Sequence, residues 1–172
     1  MKRFLLFLPI ATMCFGAQAQ TVVYGPPSLG QPYFLAYLSS NQTVTTAVST
    51  KIQFNTVVYD SSNRFDGVTN FRFTPLVSGK YMVTLNVSVT FSGSGSVGQN
   101  VSIFKNGAVI ANSTYTTANT NAYSQTMPVT NLITMNGSTD FLEGFVTLNG
   151  ITTTNVIGSQ SGTYFQAVYV GP

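Results

Sequence analysis

Histidine is missing from the sequence, and the single cysteine, Cys14, lies close to the amino terminus. Hydrolytic triads need a base beside the nucleophile, and zinc and other transition metals are held mainly by histidine and cysteine. Ser-His and Cys-His catalysis and nearly all such metal sites are therefore excluded. A catalytic function would have to rest on carboxylates or lysines.

Charged residues are also scarce. The sequence has seven Lys and Arg and four Asp and Glu, and two of the cations, Lys2 and Arg3, stand at its start. The remaining cations are scattered and cannot supply the clustered phosphate contacts that make nucleic-acid binding strong. We therefore predict no nucleic-acid partner. Thr, Ser and Asn replace charge, which suits an extracellular surface.

The first 19 residues have the pattern of a secretory signal. The charged start is followed by an apolar run from Phe4 to Phe15 and then by Gly16-Ala17-Gln18-Ala19, the order that precedes signal cleavage. A membrane span is the alternative, but Pro9 interrupts the run, and about 12 apolar residues fall short of the roughly 20 that a span needs. We predict cleavage between Ala19 and Gln20, a secreted or cell-surface protein, and no membrane span in the mature chain.

Cleavage at that point removes Cys14 with the signal. The mature chain then has no disulfide and depends on core packing and oligomerisation for its stability. Met13 precedes Cys14 where a bacterial lipoprotein signal has a small residue, so we predict no lipid anchor. The signal itself is of a bacterial type.

The mature sequence divides into a Pro/Gly-rich linker, residues 20–32, and one domain, residues 33–172. Within the domain, short alternating runs broken by Gly, Asn and Ser recur at intervals of about ten residues, a pattern typical of all-β proteins. The predicted strands are 33–38, 44–54 in two pieces, 56–60, 68–74, 79–91, 99–105, 108–115, 124–135, 140–148 and 162–170.

Two local features anchor this prediction. Residues 80–91 alternate apolar side chains from Tyr81 to Phe91 with largely polar ones, so we expect a central strand of a sandwich layer. Asn106-Gly107 separates two alternating runs, and this dipeptide best accepts the positive φ angles of a type I′ turn. A tight hairpin is therefore predicted there.

Residues 93–98 spell G-x-G-x-x-G, the phosphate-binding fingerprint. A strand follows instead of a helix, and no acid lies about 20 residues further on, so the required context fails. We interpret the segment as a flexible loop.

The acids offer two candidate sites. Asp60-Ser61-Ser62-Asn63 with Asp66 is where oxygen ligands cluster, but the spacing matches no calcium loop, and a turn capped by Asp and Asn explains it. Asp140 and Glu143 fall on opposite faces of a strand, so they cannot act as a facing pair, and we interpret them as solvated edge charges. We predict no cofactor and no metal, and calcium binding stays open.

The segment 54–85 resembles the signature of the globular C1q head, in which aromatics, an Asp or Asn and a G-x-Y-x-F element recur at near-fixed gaps. The matching positions are Phe54, Asp60, Phe65, Phe73, Gly79, Tyr81, Val83 and Leu85. The gap from Phe65 to Phe73 is one residue longer than the pattern, and Val83 and Leu85 replace aromatics. Downstream, Lys105-Asn106-Gly107 is similar to the family's K-N-G turn, and 165–169 stands where the family has its closing strand.

The resemblance to the C1q/tumour-necrosis-factor family implies a ten-strand jelly roll that forms a homotrimer through heterologous contacts. It also implies core and subunit-contact roles for six aromatic residues, Phe54, Phe65, Phe73, Tyr81, Phe165 and Tyr169. The linker has no Gly-X-Y repeat, so the head would have to trimerise without a collagen stalk.

We expect a secreted or surface-exposed homotrimeric binding or adhesion module and no enzyme. Its ligand would be a protein or carbohydrate surface, contacted through loops at 92–98, 116–123 and 149–161. The alternative is a structural building block of a biofilm, appendage or particle that has no specific small ligand.

Overall fold

The computed structural model describes residues 31–92, 95–119, 122–150 and 154–172. The predicted signal, residues 1–19, and nearly all of the predicted linker, residues 20–32, lie outside the described residues. The described chain forms thirteen strands. They are β1 (Tyr33–Tyr37), β2 (Gln42–Val44), β3 (Thr50–Lys51), β4 (Thr56–Asp60), β5 (Phe65–Asp66), β6 (Arg72–Phe73), β7 (Gly79–Phe91), β8 (Gly95–Lys105), β9 (Ala108–Asn119), β10 (Tyr123–Met135), β11 (Leu142–Asn149), β12 (Thr154–Val156) and β13 (Tyr164–Gly171).

The strands form two antiparallel sheets. In sheet A, β7 pairs with β10 along one side, and with β13 and β12 along the other. Sheet A then continues from β13 to β1 and β4, and from β12 to β2. Sheet B has the order β5-β6-β11-β8-β9, with β3 also paired to β11. The predicted all-β sandwich is confirmed. The strand number exceeds ten because the count includes five pieces of two or three residues.

Strand β7 contributes most to the core, as its alternation predicts. Its residues from Tyr81 to Phe91 at every second position are completely buried. Its other face is divided. Asn86 and Ser88 are covered by segment 157–163, where Asn86 donates to the Gly162 carbonyl and the Thr163 hydroxyl accepts the Ser88 amide hydrogen. Met82 is left uncovered.

An aromatic cluster fills the space between the sheets around β1. Phe34 stacks on Phe65 with ring centroids 4.8 Å apart, lies 4.4 Å from Phe73 and meets Phe165 edge-on at 5.3 Å. Offset and edge-on arrangements of this kind are the favoured ones. Segments that are distant in sequence therefore meet at one packed site.

Several boundaries differ from the predicted ones. The predicted strand 68–74 is mostly a turn, because the Asp66 carboxylate accepts the amide hydrogens of Val68, Thr69 and Asn70 and ends β5. The G-x-G-x-x-G segment is not a loop beyond residue 94, since β8 begins at Gly95.

The predicted loops 116–123 and 149–161 are also shorter than expected, because β9 extends to Asn119 and β12 lies within the second. The hairpin turn is confirmed: Asn106 and Gly107 have φ values of 52° and 81° between paired β8 and β9.

The packing predicts a large effect of Phe165→Ala. Phe165 is fully buried against Phe34 and Phe54, so its removal leaves a cavity and should lower the free energy of unfolding by about 3–5 kcal/mol. The matched control is Val68→Ala, because Val68 is 85% exposed and should change stability by less than about 0.5 kcal/mol. Urea unfolding of both variants measures the difference, and equal midpoints would contradict this packing.

Candidate interaction surfaces

The acids near β5 are committed to turns. Asp60 accepts the amide hydrogens of Ser62, Arg64 and Phe65. Asp66 accepts those of the 68–70 turn, and these bonds, together with the Asn70 side-chain amide, hold the pKa of its carboxyl far below the usual value. The residues on either side of β5 therefore form turns that the Asp60 and Asp66 side chains stabilise, as the sequence predicts for the segment 60–66. Among the described residues, no three acidic, His or Cys side chains converge as metal ligands.

The other two acids are not solvated edge charges, contrary to the sequence interpretation. Asp140 and Glu143 are 7% and 6% exposed. Glu143 pairs with Lys51 at 2.6 Å, and Asp140 pairs with Lys105 at 2.9 Å. Lys51 reaches Glu143 from β3, and Lys105 reaches Asp140, just before β11, from the end of β8. Each cation replaces the water that an exposed carboxylate would need.

Ion pairing also sets the titration of Asp140. Burial alone would raise the pKa of this carboxyl, but hydrogen bonds from Lys105, Asn106 and the Asn136 backbone outweigh it, and the pKa is lowered. A carboxyl whose pKa is lowered by folding stabilises the folded state above its unfolded pKa, and this contribution is lost as the pH falls.

The predicted contact aromatics lie inside the single chain. Phe54, Phe65, Phe73, Tyr81 and Phe165 are all at most 9% exposed. Tyr169 is half-buried, with its ring edge-on to Tyr81 at 5.3 Å. Five of the six rings therefore belong to the core of the single chain, and Tyr169 stays partly exposed.

Sequence reasoning missed the apolar surface that is available. On the outer face of sheet A, Tyr33, Val168, Met82 and Leu132 lie directly opposite one another across β1, β13, β7 and β10. We call these four residues the outer row. Each is between 43% and 48% exposed, and four adjacent strands span roughly 14 Å. The Tyr59 ring extends the row on β4, with its centroid 5.5 Å from that of Tyr33.

A second unpartnered surface lies at the edge of the sandwich. Strands β9 and β10 are neighbouring edge strands of the two sheets, since β9 pairs with β8 and β10 with β7. None of the described β9 side chains is fully buried, and the strand contains neither charge nor proline to block further pairing. Edges of this kind normally carry such protection.

Comparison with known proteins shows which fold this is. No protein-family model and no curated protein matches the sequence. Solved structures match well. The globular domain of zebrafish complement 1qA protein has a TM-score of 0.53 at 13% identity, covering 82% of this chain and 98% of that one. Murine APRIL has a TM-score of 0.56 at 11% identity, covering 82% and 100%. Eiger TNF from S. frugiperda has a TM-score of 0.55 at 8% identity, covering 81% of this chain and 91% of that one.

This chain has the C1q/TNF-like fold. The family resemblance drawn from the 54–85 signature is thereby confirmed at the level of the fold, and the sandwich of sheets A and B is its jelly roll. Within the described part of this C1q/TNF-like chain, no helix is long and apolar enough to cross a membrane.

The Asp140 pair of the jelly roll predicts a pH-dependent effect of Asp140→Asn. At pH 7 the substitution should lower the free energy of unfolding by about 1–3 kcal/mol, because it removes charge-assisted hydrogen bonds. Below the unfolded pKa, wild-type Asp140 progressively loses the same contribution, so the difference should shrink towards pH 2.5.

Urea midpoints at pH 7 and pH 2.5 test this, with Lys80→Gln as the control that changes an exposed charge. A penalty that is equal at both pH values would refute the role given to the ionised Asp140 carboxylate.

Proposed function

We propose that this chain is a secreted homotrimeric recognition module and has no catalytic activity. The outer row carries the proposal, because contiguous exposed apolar side chains mark interaction sites whereas isolated ones do not. The C1q/TNF-like fold supports it, since the sequence resemblance implies a trimer. The commitment of all four acids to turns and ion pairs leaves no carboxylate free for acid-base chemistry.

The two unpartnered surfaces suggest how the trimer closes. The outer row lies on a sheet face and the β9/β10 edge lies at the side of the sandwich, so the two are different surfaces of one chain. A face that packs against the edge of the next copy gives a heterologous contact, and three such contacts close a ring. In this arrangement the subunit contact uses the outer row, and the six predicted aromatics act in the core.

Secretion is part of the same proposal. Residues 1–19 would be removed as a signal and residues 20–32 would act as a linker to the domain at 33–172. Trimers displayed outside the cell would contact a protein or carbohydrate surface through the loops at the ends of the sandwich.

A structural building block is the second candidate, and the β9 edge favours it. Twelve residues, Ala108–Asn119, form this strand, and an uncharged edge of that length can pair with another chain in an open-ended array. The same chain could then assemble into a biofilm, appendage or particle without binding a small ligand.

If the outer row forms the subunit contact, Met82→Asp should lower the mass of the assembly in solution. A carboxylate placed in the middle of the outer row would be desolvated at the subunit contact, and this cost should shift the protein to single chains. Light scattering should give three chain masses for the wild type and one for the variant at the same concentration. Val68→Asp adds the same charge at an exposed turn and should remain trimeric.

A single-chain mass for the wild type would contradict the trimer, and so would an unchanged mass for Met82→Asp. Far-ultraviolet circular dichroism of the variant checks that the chain has kept its strands.

An array of glycans and host-matrix proteins separates recognition from scaffolding. A recognition module should give saturable binding to a restricted set of ligands at micromolar protein. Absence of any saturable binding, together with fibres or particles visible by electron microscopy, would favour the building block instead.

A further inference from the structure

An open pocket of about 310 Å³ lies on the β5–β6 hairpin. This hairpin forms the edge of sheet B that is opposite to β9, so the pocket is separate from the β9/β10 edge proposed for assembly. The polar side chains that line it are Asn63, Arg64, Asp66, Asn70, Arg72 and Thr74.

Neither arginine in this pocket has an acidic partner in the described part of the chain, where the ion pairs are Lys51–Glu143 and Lys105–Asp140. The absence is unexpected for Arg72, because the antiparallel register places it directly between Asp66 and Glu143. The carboxylate oxygens of Asp66 accept hydrogen bonds from the 68–70 turn, and the Glu143 carboxylate is paired with Lys51. Arg72 is thus flanked by two acids and bonded to neither.

The Arg72 guanidinium is nevertheless held in place. Its central carbon lies 4.5 Å from the centroid of the Phe141 ring, an attractive contact that restricts the movement of the group. The residue is half-buried, so part of its hydration is already lost. A planar fork of N–H donors that is restrained in this way and has no carboxylate partner is suited to bind a carboxylate.

The surrounding charge restricts the ligand. Lys51, Arg64 and Arg72 are balanced by Asp60, Asp66 and Glu143 in this region of the sheet, so no strong positive field steers an anionic ligand from a distance. Attraction must come from directed hydrogen bonds at short range. Besides the guanidinium groups, the pocket offers the side-chain amide of Asn63 and the hydroxyl of Thr74, which match sugar hydroxyls, whereas the Asn70 amide already donates to Asp66.

We propose that this pocket binds the carboxylate of an acidic sugar unit, with Arg64 and Arg72 holding the carboxylate and the neutral side chains holding the hydroxyls. The proposal rests on the recognition role given above, but it does not need the trimer, because the pocket is built from one chain. In a trimer three weak sites would act together on a polymeric glycan, and avidity would raise the affinity.

Titration of the purified full-length protein with monosaccharides, followed by NMR or calorimetry, tests the pocket. D-glucuronate should bind saturably with a Kd of about 1 mM, the affinity expected of a ligand this small. D-glucose and acetate should each bind at least tenfold more weakly. If acetate bound as tightly as glucuronate, the pocket would recognise only a carboxylate. If D-glucose bound as tightly as glucuronate, the arginines would not contribute to binding. Either result would overturn the proposal, as would no saturable binding of glucuronate.

Variants locate the site. Arg72→Gln and Arg64→Gln should each weaken glucuronate binding at least tenfold, and Arg72→Lys should also weaken it because an ammonium cannot replace the fork. Lys80→Gln removes an exposed cation outside the pocket and should leave the affinity within twofold. Unchanged affinity in either arginine variant would refute the site. Binding of neutral glycans on the array without glucuronate binding would refute this inference alone, and the recognition role would stand.

Discussion

Alternation of side chains along paired strands determines both the core and the candidate contact surface of this protein. In β7 the residues from Tyr81 to Phe91 at odd positions are buried between the sheets, so those at even positions must face away from the core. Segment 157–163 covers one half of that outer face. Met82 lies in the other half, in register with exposed apolar residues of three neighbouring strands. A one-residue slip of β7 would exchange core and surface.

Much of the fold follows from local sequence, and the outer row does not. The bounds of β7 and the Asn106-Gly107 hairpin depend on alternation and turn chemistry, which a single sequence contains. Met82 stands in the sequence as one apolar residue in a polar series. Its alignment with Leu132 and Val168 depends on the pairing registers, which are set by contacts across the whole domain. The short strand β12 carries no alternation long enough to predict.

The partners of the charged residues are likewise predictable only where they are close in sequence. The sequence predicts surface positions for Asp140 and Glu143 because their partners, Lys105 and Lys51, are 35 and 92 residues away in sequence. Asp60 and Asp66 could be placed in turns because their partners are local. With the acids committed in these ways, the unpaired Arg64 and Arg72 stand out only in the folded chain, where the β5–β6 hairpin brings them to one pocket.

The most direct test of the proposed assembly is thiol cross-linking between the sheet A face and the β9 edge. The chain beyond residue 19 has no cysteine, so Met82→Cys and Thr116→Cys in one chain, with a short bismaleimide, report this contact alone. A closed heterologous ring predicts a covalent product that stops at three chains, whereas either single-cysteine variant should remain as single chains because a heterologous contact does not bring equivalent residues together. A double variant that stays as single chains, stops at two or forms an open ladder would contradict the account.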